Sequence, residues 1–471
     1  MTELEWLEQT FYASGMTSEP AFRFADLFAG IGGFAAALAA FGGKGVYSVE
    51  IDPAAARVYE LNWGHSPLGD VTRDATDTEM TVPAHDVLAA GFPCQPFSKS
   101  GAQRGMEETR GTLYWNILNI VRAHHPSVLL LENVRNLAGP RHRHEWQVIV
   151  ETLRDEGYRV SETPAVFSPH QLPRSHGGRP QVRERVFLTA TYNPEGIGAG
   201  IEPEPVVTPR TRVDGFDPAS EWSLDDYLDP DHHVSGCDLS VQEKLWIDAW
   251  NDFVELMWEE REGRRLPGFP LWADSWPTTA AKAADLAEQF RSHETPAWKR
   301  DFLVKNAAFY DAHRRVIDRW ASKWGVFTEA FPPSRRKLEW QAQDTPRLWD
   351  TVMHFRPSGI RAKRPTYLPA LVAITQTSII GPRGRRLSPR EAARLQGLPD
   401  EFTFGTQPAS ATYRQLGNGV NVGAVWNVLK AHVARDEDIL KRTPVGQRIV
   451  AAVLDAPSSP DDRLREMLAG R

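Results

Sequence analysis

The stretch GFPCQPFSKSG, residues 91–101, carries Cys94, one of only two cysteines in 471 residues. It follows an apolar run, and Pro93, Pro96, Ser98, Ser100 and Gly101 give it the composition of an irregular loop rather than of core. A buried cysteine is more often structural. A thiol in such a loop is instead placed to react, through a thiolate that neighbours must favour because the free pKa is about 8.5. Two other groups have chemistry to offer beside it. SVLLLENV, 127–134, is a strongly apolar strand that ends in Glu132 and Asn133. A carboxyl group there is either a satisfied strand terminus or an acid whose pKa is raised by burial. In QVRERVFLTA, 181–190, alternation predicts a strand with Gln181, Arg183 and Arg185 on one face and Val182, Val186 and Leu188 completing the pattern. Two adjacent arginines want anionic or carbonyl partners, unless the strand simply lies at the surface.

The elements that must hold these residues read as an open α/β sheet. FRFADLF is an apolar strand running into AGIGGF, AAALAAF has the character of a buried helix, and GVYSVEID is a second strand closed by Glu50 and Asp52. LGDV, ending near Asp70, reads as the close of a third strand, and HDVLAAGFP as a fourth, which sets Cys94 at the sheet's carboxyl edge. Ligands of such sheets bind at that edge. Gly30, Gly32 and Gly33 allow a tight turn and a close backbone approach, and Glu50 arrives where a carboxylate accepts both hydroxyls of a ribose. Glycines alone make only a turn. Here the pattern lacks the later glycine of a dinucleotide fingerprint and the lysine of a phosphate loop, which favours a ligand with a ribose and no pyrophosphate. S-adenosylmethionine fits, with Phe28 stacking on the adenine and Asp70 accepting from its exocyclic amine.

Composition sets the frame. The chain is 41% hydrophobic and 24% charged, ordinary for a soluble protein with room for two domains. Two cysteines exclude a disulfide framework and an all-cysteine zinc site. No apolar run approaches the roughly 20 residues of a membrane span, and the acidic N-terminal segment does not read as a secretory signal, so the expectation is a cytoplasmic protein. The net charge of −7 hides a polarity. Residues 335–394 carry 13 Lys and Arg against 4 Asp and Glu, whereas 200–262 carry 4 against 17.

Taken together, FADLFAGIGGF, YSVEIDPAAARVYELNWG, GDV, GFPCQPFSKSG, RGTLYW, LLLENVRNL, QVRERVF, LSPREAARLQGLPDEF and QLGNGVNVGAV resemble, in order, the motifs of the DNA cytosine-5 methyltransferases. The resemblance covers residues 22–192 and about 383–430. It implies a Rossmann-like S-adenosylmethionine-dependent methyltransferase sheet with a second, partly helical target-recognition domain. The domains would be an N-terminal extension at 1–21, a first catalytic part at 22–194, target recognition at 195–383, a return at 384–443 and a tail at 444–471. It implies that Cys94 adds to carbon 6 of the cytosine, that protonated Glu132 donates to ring nitrogen 3, that Arg185 holds the base's carbonyl oxygen, and that Arg183 supports this arrangement. Cofactor contact is implied at Phe28, Gly30, Ile31, Gly32, Gly33, Glu50, Ile51, Asp70, Val71, Pro93, Asn418 and Val420. Gly419 stands where the family often has serine. No metal is required.

The target carbon lies inside a stacked duplex, so the base must be flipped out. Ser98 and Ser100 lie in the segment that resembles the family's DNA-closing loop. In the recognition region, SVQEKLWIDAWNDFVELMWEERE predicts a capped amphipathic helix with Val241, Leu245, Ala249, Phe253 and Met257 on its apolar face. Trp246, Trp250 and Trp258 read as core on that face. A second helical pattern runs from about Trp298 to Trp324. An acidic helix repels phosphates, so DNA contact is expected from the basic part, through Arg335, Arg336, Lys337, Arg361, Lys363 and Arg364. SPHQLPRSHGGRP, 168–180, is longer than the family's usual approach and could alter a DNA-facing loop. The remaining alternatives are a tRNA cytosine methyltransferase, whose Cys-Phe-Thr motif is absent here, a non-catalytic paralogue, which would lack Cys94 or Glu132, and a nicotinamide oxidoreductase, which explains neither. Size and layout resemble a monomeric bacterial modification enzyme acting on double-stranded DNA at the nucleoid, with or without a matching restriction endonuclease.

Overall fold

The computed structural model describes residues 19–93, 112–198, 200–207, 215–291, 295–371 and 377–470. Cys94, Ser98 and Ser100 lie outside them. The first half of the chain forms β1 (Phe22–Leu27), β2 (Gly43–Val49), β3 (Val87–Gly91), β4 (Val128–Val134), β5 (Tyr158–Val160), β6 (Ala165–Phe167), β7 (Gln181–Val182) and β8 (Arg185–Tyr192). Seven of these make one sheet of order β2-β1-β3-β4-β8-β5, with β6 also on β8. β1 to β4 are parallel and β8 is antiparallel to β4. The apolar runs are explained by burial on both faces. Val87, Ala89, Val128 and Leu130 face one core, while Leu88, Ala90, Leu129 and Leu131 face the other. Helices Leu113–His124 and Arg143–Asp155 cover the second face.

Two readings of strands are corrected here. LGDV is not a strand: Leu68 makes a single bridge to Glu50, and Asp70 caps the short helix Val71–Asp74. The proposed fourth strand is therefore β3, directly beside β1. The order 2-1-3 puts the point where strand order reverses between β1 and β3, and the crevice of an open α/β sheet opens there. The arginine strand is also broken. Gln181 belongs to β7, which pairs with β13 (Leu368–Pro369), and the main sheet resumes only at Arg185.

The chain returns to the first sheet through the helices Pro389–Leu395, Ala409–Asn418 and Val422–Arg435. The last packs on the helix Gly33–Ala40, and Trp426 stacks on Phe41 with ring centroids 3.5 Å apart. The tail, to which sequence alone gave no role, folds into helices Pro444–Leu454 and Asp461–Ala469. Its Ile449, Val453 and Leu464 are fully buried in the same core. The end of the stretch 168–180 packs against the returning helices and the tail. A Cβ on Gly423 would stand 2.0 Å from the Gly177 carbonyl, and Arg179 reaches the Arg394 carbonyl and Asp461.

A second sheet, of order β15-β14-β11-β12-β10-β9, is made from β9 (Leu271–Trp272), β10 (Lys337–Gln341), β11 (Val352–Arg356), β12 (Gly359–Lys363), β14 (Ile379–Ile380) and β15 (Arg385–Arg386). The helix Val241–Glu260 begins with the expected capping box between Ser240 and Glu243. Together with Ala297–Trp324 it covers one face of this sheet, around fully buried Trp250, Trp276 and Trp320. The apolar face differs from the expected one. Val241 is 88% exposed, and Ile247, Trp250, Val254 and Met257 are buried with Ala249 and Phe253. A strict four-residue step drifts around a 3.6-residue helix, so the first position leaves the core.

Candidate active site

At the end of β1 the chain turns through Phe28 (φ 56°), Gly30 (φ 55°) and Gly32 (φ 91°). Only Gly32 is required by contact as well as by φ: a Cβ there would stand 2.0 Å from Trp63 Nε1, whose ring nitrogen donates to the Ile31 carbonyl at 3.2 Å. Glu50, leaving β2, accepts from the amides of Gly30 at 2.8 Å and Asp52 at 2.7 Å. This fixes its carboxylate beside the turn. Above Gly30 there is open space within 4 Å of where a Cβ would be. Ile51 and Leu68, 71% and 58% exposed, flank this corner as bare apolar surface. Ile31 and Val71 are buried, so they can offer a ligand only their backbone. Asp70 accepts from the amide and hydroxyl of Thr72, which holds its carboxyl below the usual range.

Sequence reasoning passed over Asp26. It is fully buried on β1, and neither carboxyl oxygen meets a donor at good hydrogen-bond geometry, only the Ala35 amide acting on it from nearby. Burial raises its pKa well above the ordinary value, the Ala35 amide opposes this and the Glu50 charge adds to it. The signal was the polar residue inside the apolar run FRFADLF. A carboxylate fixed beside the turn, with open space above Gly30 and bare apolar side chains flanking it, fits a nucleoside such as S-adenosylmethionine.

One strand further, β3 ends at Gly91 opposite Glu132 on β4. Glu132 Oε1 lies 3.0 Å from Arg185 Nε, and Glu132 Oε2 would touch a Cβ on Gly91 at 3.6 Å. The carboxyl lies on the face of the sheet that carries Phe34, whose ring would meet the same Cβ at 3.5 Å, and the residue is 9% exposed. Burial therefore raises its pKa, although Arg185 and Arg183 pull the other way. Asn133 donates to the Phe92 carbonyl at 2.8 Å, which ties the end of β4 to the segment entering Pro93 and Cys94. Arg183, 1% exposed, is no surface residue. It donates to the carbonyls of Leu371 at 3.0 Å, Gly417 at 2.9 Å and Gly419 at 2.5 Å, and burial draws its pKa down to about 9. It thereby holds the segment of Asn418 and Val420 against the sheet. Val420 in turn closes on Gly33, where a Cβ would meet its Cγ1 at 2.9 Å, whereas the Asn418 side chain is exposed.

The basic segment is reassigned in part. Arg335 is buried, donates to the Arg356 carbonyl at 3.1 Å and lies over Phe355 and Trp246; it builds the second core. Arg336 pairs with Asp274 at 3.1 Å and donates to the Thr328 carbonyl. Much of the acidic region exists to neutralise basic residues. Asp225 and Asp231 pair with Arg383, Asp231 with Arg385, Asp229 with Arg394 and Glu243 with Arg386. Cations remain on the face of the second sheet turned away from the helices. Strand alternation puts Lys337, Arg356, Arg361 and Lys363 there, with His354 and one carboxylate, Glu339. Arg361 grips Glu339 with Nε and an Nη, both at 2.8 Å, and Arg364 pairs with Asp344. Burial and the neighbouring Arg361 lower the Lys363 pKa, and burial with Lys363 and Arg361 pushes His354 to about 4.

A sheet whose first four strands are parallel, with a glycine turn at its reversal point and a buried Glu–Arg pair one strand on, defines a Rossmann-like methyltransferase. The chain belongs to the C-5 cytosine-specific DNA methylase family, whose model matches residues 22–434. It is 53% identical, over an alignment of 506 positions, to the Type II methyltransferase M.AluI of Cellulosimicrobium cellulans, covering 93% of this chain and 97% of that one. It is 43% identical to M.HhaI of Haemophilus parahaemolyticus over 171 residues, 36% of this chain and 49% of the relative. Among solved structures, a putative prophage DNA modification methyltransferase from E. coli aligns over 88% of this chain and 99% of its own at 19% identity, with a TM-score of 0.46. The chain is thus a DNA cytosine-5 methyltransferase. Among the described residues no helix is long and apolar enough to cross a membrane, and no cluster of side chains could hold a metal ion.

Proposed function

We propose that this chain methylates carbon 5 of a cytosine within a specific duplex sequence, as the modification enzyme of a restriction-modification system, with Cys94 as nucleophile. The observation that carries the reading is the buried Glu132–Arg185 pair at the end of β4, one strand from the segment that bears Cys94. A cytosine ring is a poor nucleophile at carbon 5. Addition of a thiolate to carbon 6 pushes electron density toward carbon 5, and a neutral acid at nitrogen 3 offsets the charge that develops in the ring. Glu132 would meet that need in its protonated form, which burial favours and Arg185 and Arg183 oppose. Arg185, bonded to Glu132 through Nε and to the Glu184 carbonyl through one Nη, would take the base's carbonyl oxygen with its other Nη. Arg183 is a positioning residue that clamps Gly417 and Gly419.

S-adenosylmethionine, when bound, supplies an electrophilic methyl group. Glu50, the turn Phe28–Gly33, Ile51, Asp70 and the backbone near Pro93, Asn418 and Val420 would hold it, with the Asp26 carboxyl beneath. A base then removes the carbon-5 proton and Cys94 leaves. The open face of the second sheet, through Lys337, Arg361 and Lys363, would follow the phosphates. Labelled methyl transfer to plasmid DNA, to tRNA, or to neither tests the reading. Duplex carrying 5-fluorocytosine at the target should trap the wild-type chain covalently and should not trap Cys94→Ser. Transfer to tRNA alone would overturn the proposal.

A further inference from the structure

We propose that an aromatic edge of the second sheet, formed by Trp272, Phe302 and Trp298, contacts duplex DNA several base pairs outside the methylated sequence. The proposal rests on the reading that the open face of this sheet takes DNA. The antiparallel register of β9 and β10 pairs Leu271 with Leu338 and Trp272 with Lys337. The leucines are fully buried against the helices, so Trp272 and Lys337 share the open face. Lys337 Nζ stands 5.8 Å from the centroid of the Trp272 ring. From there the aromatic surface runs round the edge strand β9 to the first turns of the helix Ala297–Trp324. Phe302 meets Trp272 edge-on at 5.5 Å, and Trp298 meets Phe302 at 6.2 Å. Trp298 is 61% exposed and Val304 51%. Lys299 and Arg300 follow Trp298 directly in the sequence.

An indole left in water beside cations suits a partner that is both anionic and able to offer apolar surface. Duplex DNA offers phosphates with sugars and base edges between them. An apolar protein face would leave the lysines facing no counter-charge. The distance is set by the sheet. β15 is tied to the catalytic lobe, Arg385 pairing with Glu391 at 2.8 Å, and β9 is the opposite edge of the six strands. Five inter-strand steps of about 4.8 Å come to roughly 24 Å, or about seven base pairs at 3.4 Å each. Contact at that range adds affinity without reading the target.

The test uses the full chain and two duplexes centred on the sequence it methylates, mapped on plasmid DNA. One extends about 4 and the other about 12 base pairs beyond that sequence on each side, lengths that bracket the reach set by the strand spacing. Wild type should bind the longer duplex about tenfold more tightly, the effect of burying part of one large aromatic side chain. Trp298→Ala should bind both alike, at the wild-type affinity for the short one, and Trp298→Phe should recover most of the ratio. A ratio measured within one variant is unaffected by a loss of folded protein. A wild-type ratio in Trp298→Ala, or equal weakening on both lengths, overturns the aromatic contact. Lys363→Ala separates the two ideas. If it weakens binding to both duplexes while Trp298→Ala changes nothing, the open face still takes DNA and only the edge contact is lost; if neither variant matters, both readings fall.

Discussion

Glu339→Gln should make this enzyme bind DNA more tightly. Glu339 is the one carboxylate on strands β10, β11 and β12. Both its oxygens are held by Arg361 at 2.8 Å, and Arg356 lies 3.6 Å away. With Lys337, Arg356, Arg361 and Lys363 the open face carries four cations and this single anion, a net of three positive charges that the substitution raises to four. If each unit of net charge neutralises one phosphate, the slope of log affinity on log salt steepens from about −2.7 to about −3.6. Removing a carboxylate about 6 Å from the phosphate path relieves between about 0.7 and 3 kcal/mol of repulsion for effective dielectric constants between 80 and 20. Screening at 0.1 M salt brings this toward the lower end, or about three- to tenfold in affinity. Fluorescence anisotropy on one non-cognate duplex at four salt concentrations reads both quantities. Weaker binding with an unchanged slope would show that Glu339 orients Arg361 for DNA rather than competing with DNA for it, and would refute the reasoning.

Cys94→Ser should abolish turnover and leave S-adenosylmethionine affinity within about twofold in calorimetric titration, since a thiol lost to the base removes nothing from the cofactor. Glu132→Gln should lower kcat by about 10²–10⁴-fold, the usual value of a positioned general acid. The raised pKa of Glu132 also predicts a wild-type rate that falls as pH rises through it, because only the protonated form donates. That alkaline limb should vanish in the glutamine variant, whose amide keeps its hydrogens, and its persistence in a kcat–pH profile would assign the limb to another group. Glu50→Ala should weaken cofactor binding by about 1.5–3 kcal/mol, the worth of hydrogen bonds to a charged group, with a smaller effect on DNA. Gly32→Ala and Gly30→Ala should differ in kind. The first adds a clash with Trp63 to the cost of a positive φ and should lower the melting temperature markedly. The second should cost only about 1 kcal/mol of stability while occupying the open space above the turn, so that its loss appears mainly in cofactor affinity.

The first sheet was legible because its signals are local. A glycine turn and a carboxylate ending a buried strand each sit in one short segment, and strand order brings the two to one edge. The errors came where partners are distant in sequence. Alternation placed Arg183 on a strand beside Arg185, but its side chain answers to carbonyls more than 180 residues away, and those forced the break between β7 and β8. LGDV reads as a strand by composition, yet it has only Glu50 to pair with, and the Asp70 carboxyl caps a helix turn instead.

Charge misled for the same reason. Counted along the chain, residues 335–394 looked like a surface for phosphates and 200–262 like one that repels them. In the fold part of each segment answers the other: Arg383, Arg385, Arg386 and Arg394 meet Asp225, Asp231, Glu243 and Asp229. A buried or half-buried arginine must find a carboxylate or carbonyls within the protein, so excess positive charge in a segment predicts an acidic partner segment before it predicts a ligand. What separates the cations that stay on the open face is strand parity. Leu338, Ile360 and Ala362 are fully buried beneath the helices. Their neighbours Lys337, Arg361 and Lys363 must therefore emerge on the opposite face. The alternation that failed across the break at Arg183 holds here, because β10 and β12 are continuous and parallel over four residue pairs, and a one-residue slip would exchange the buried set for the basic one.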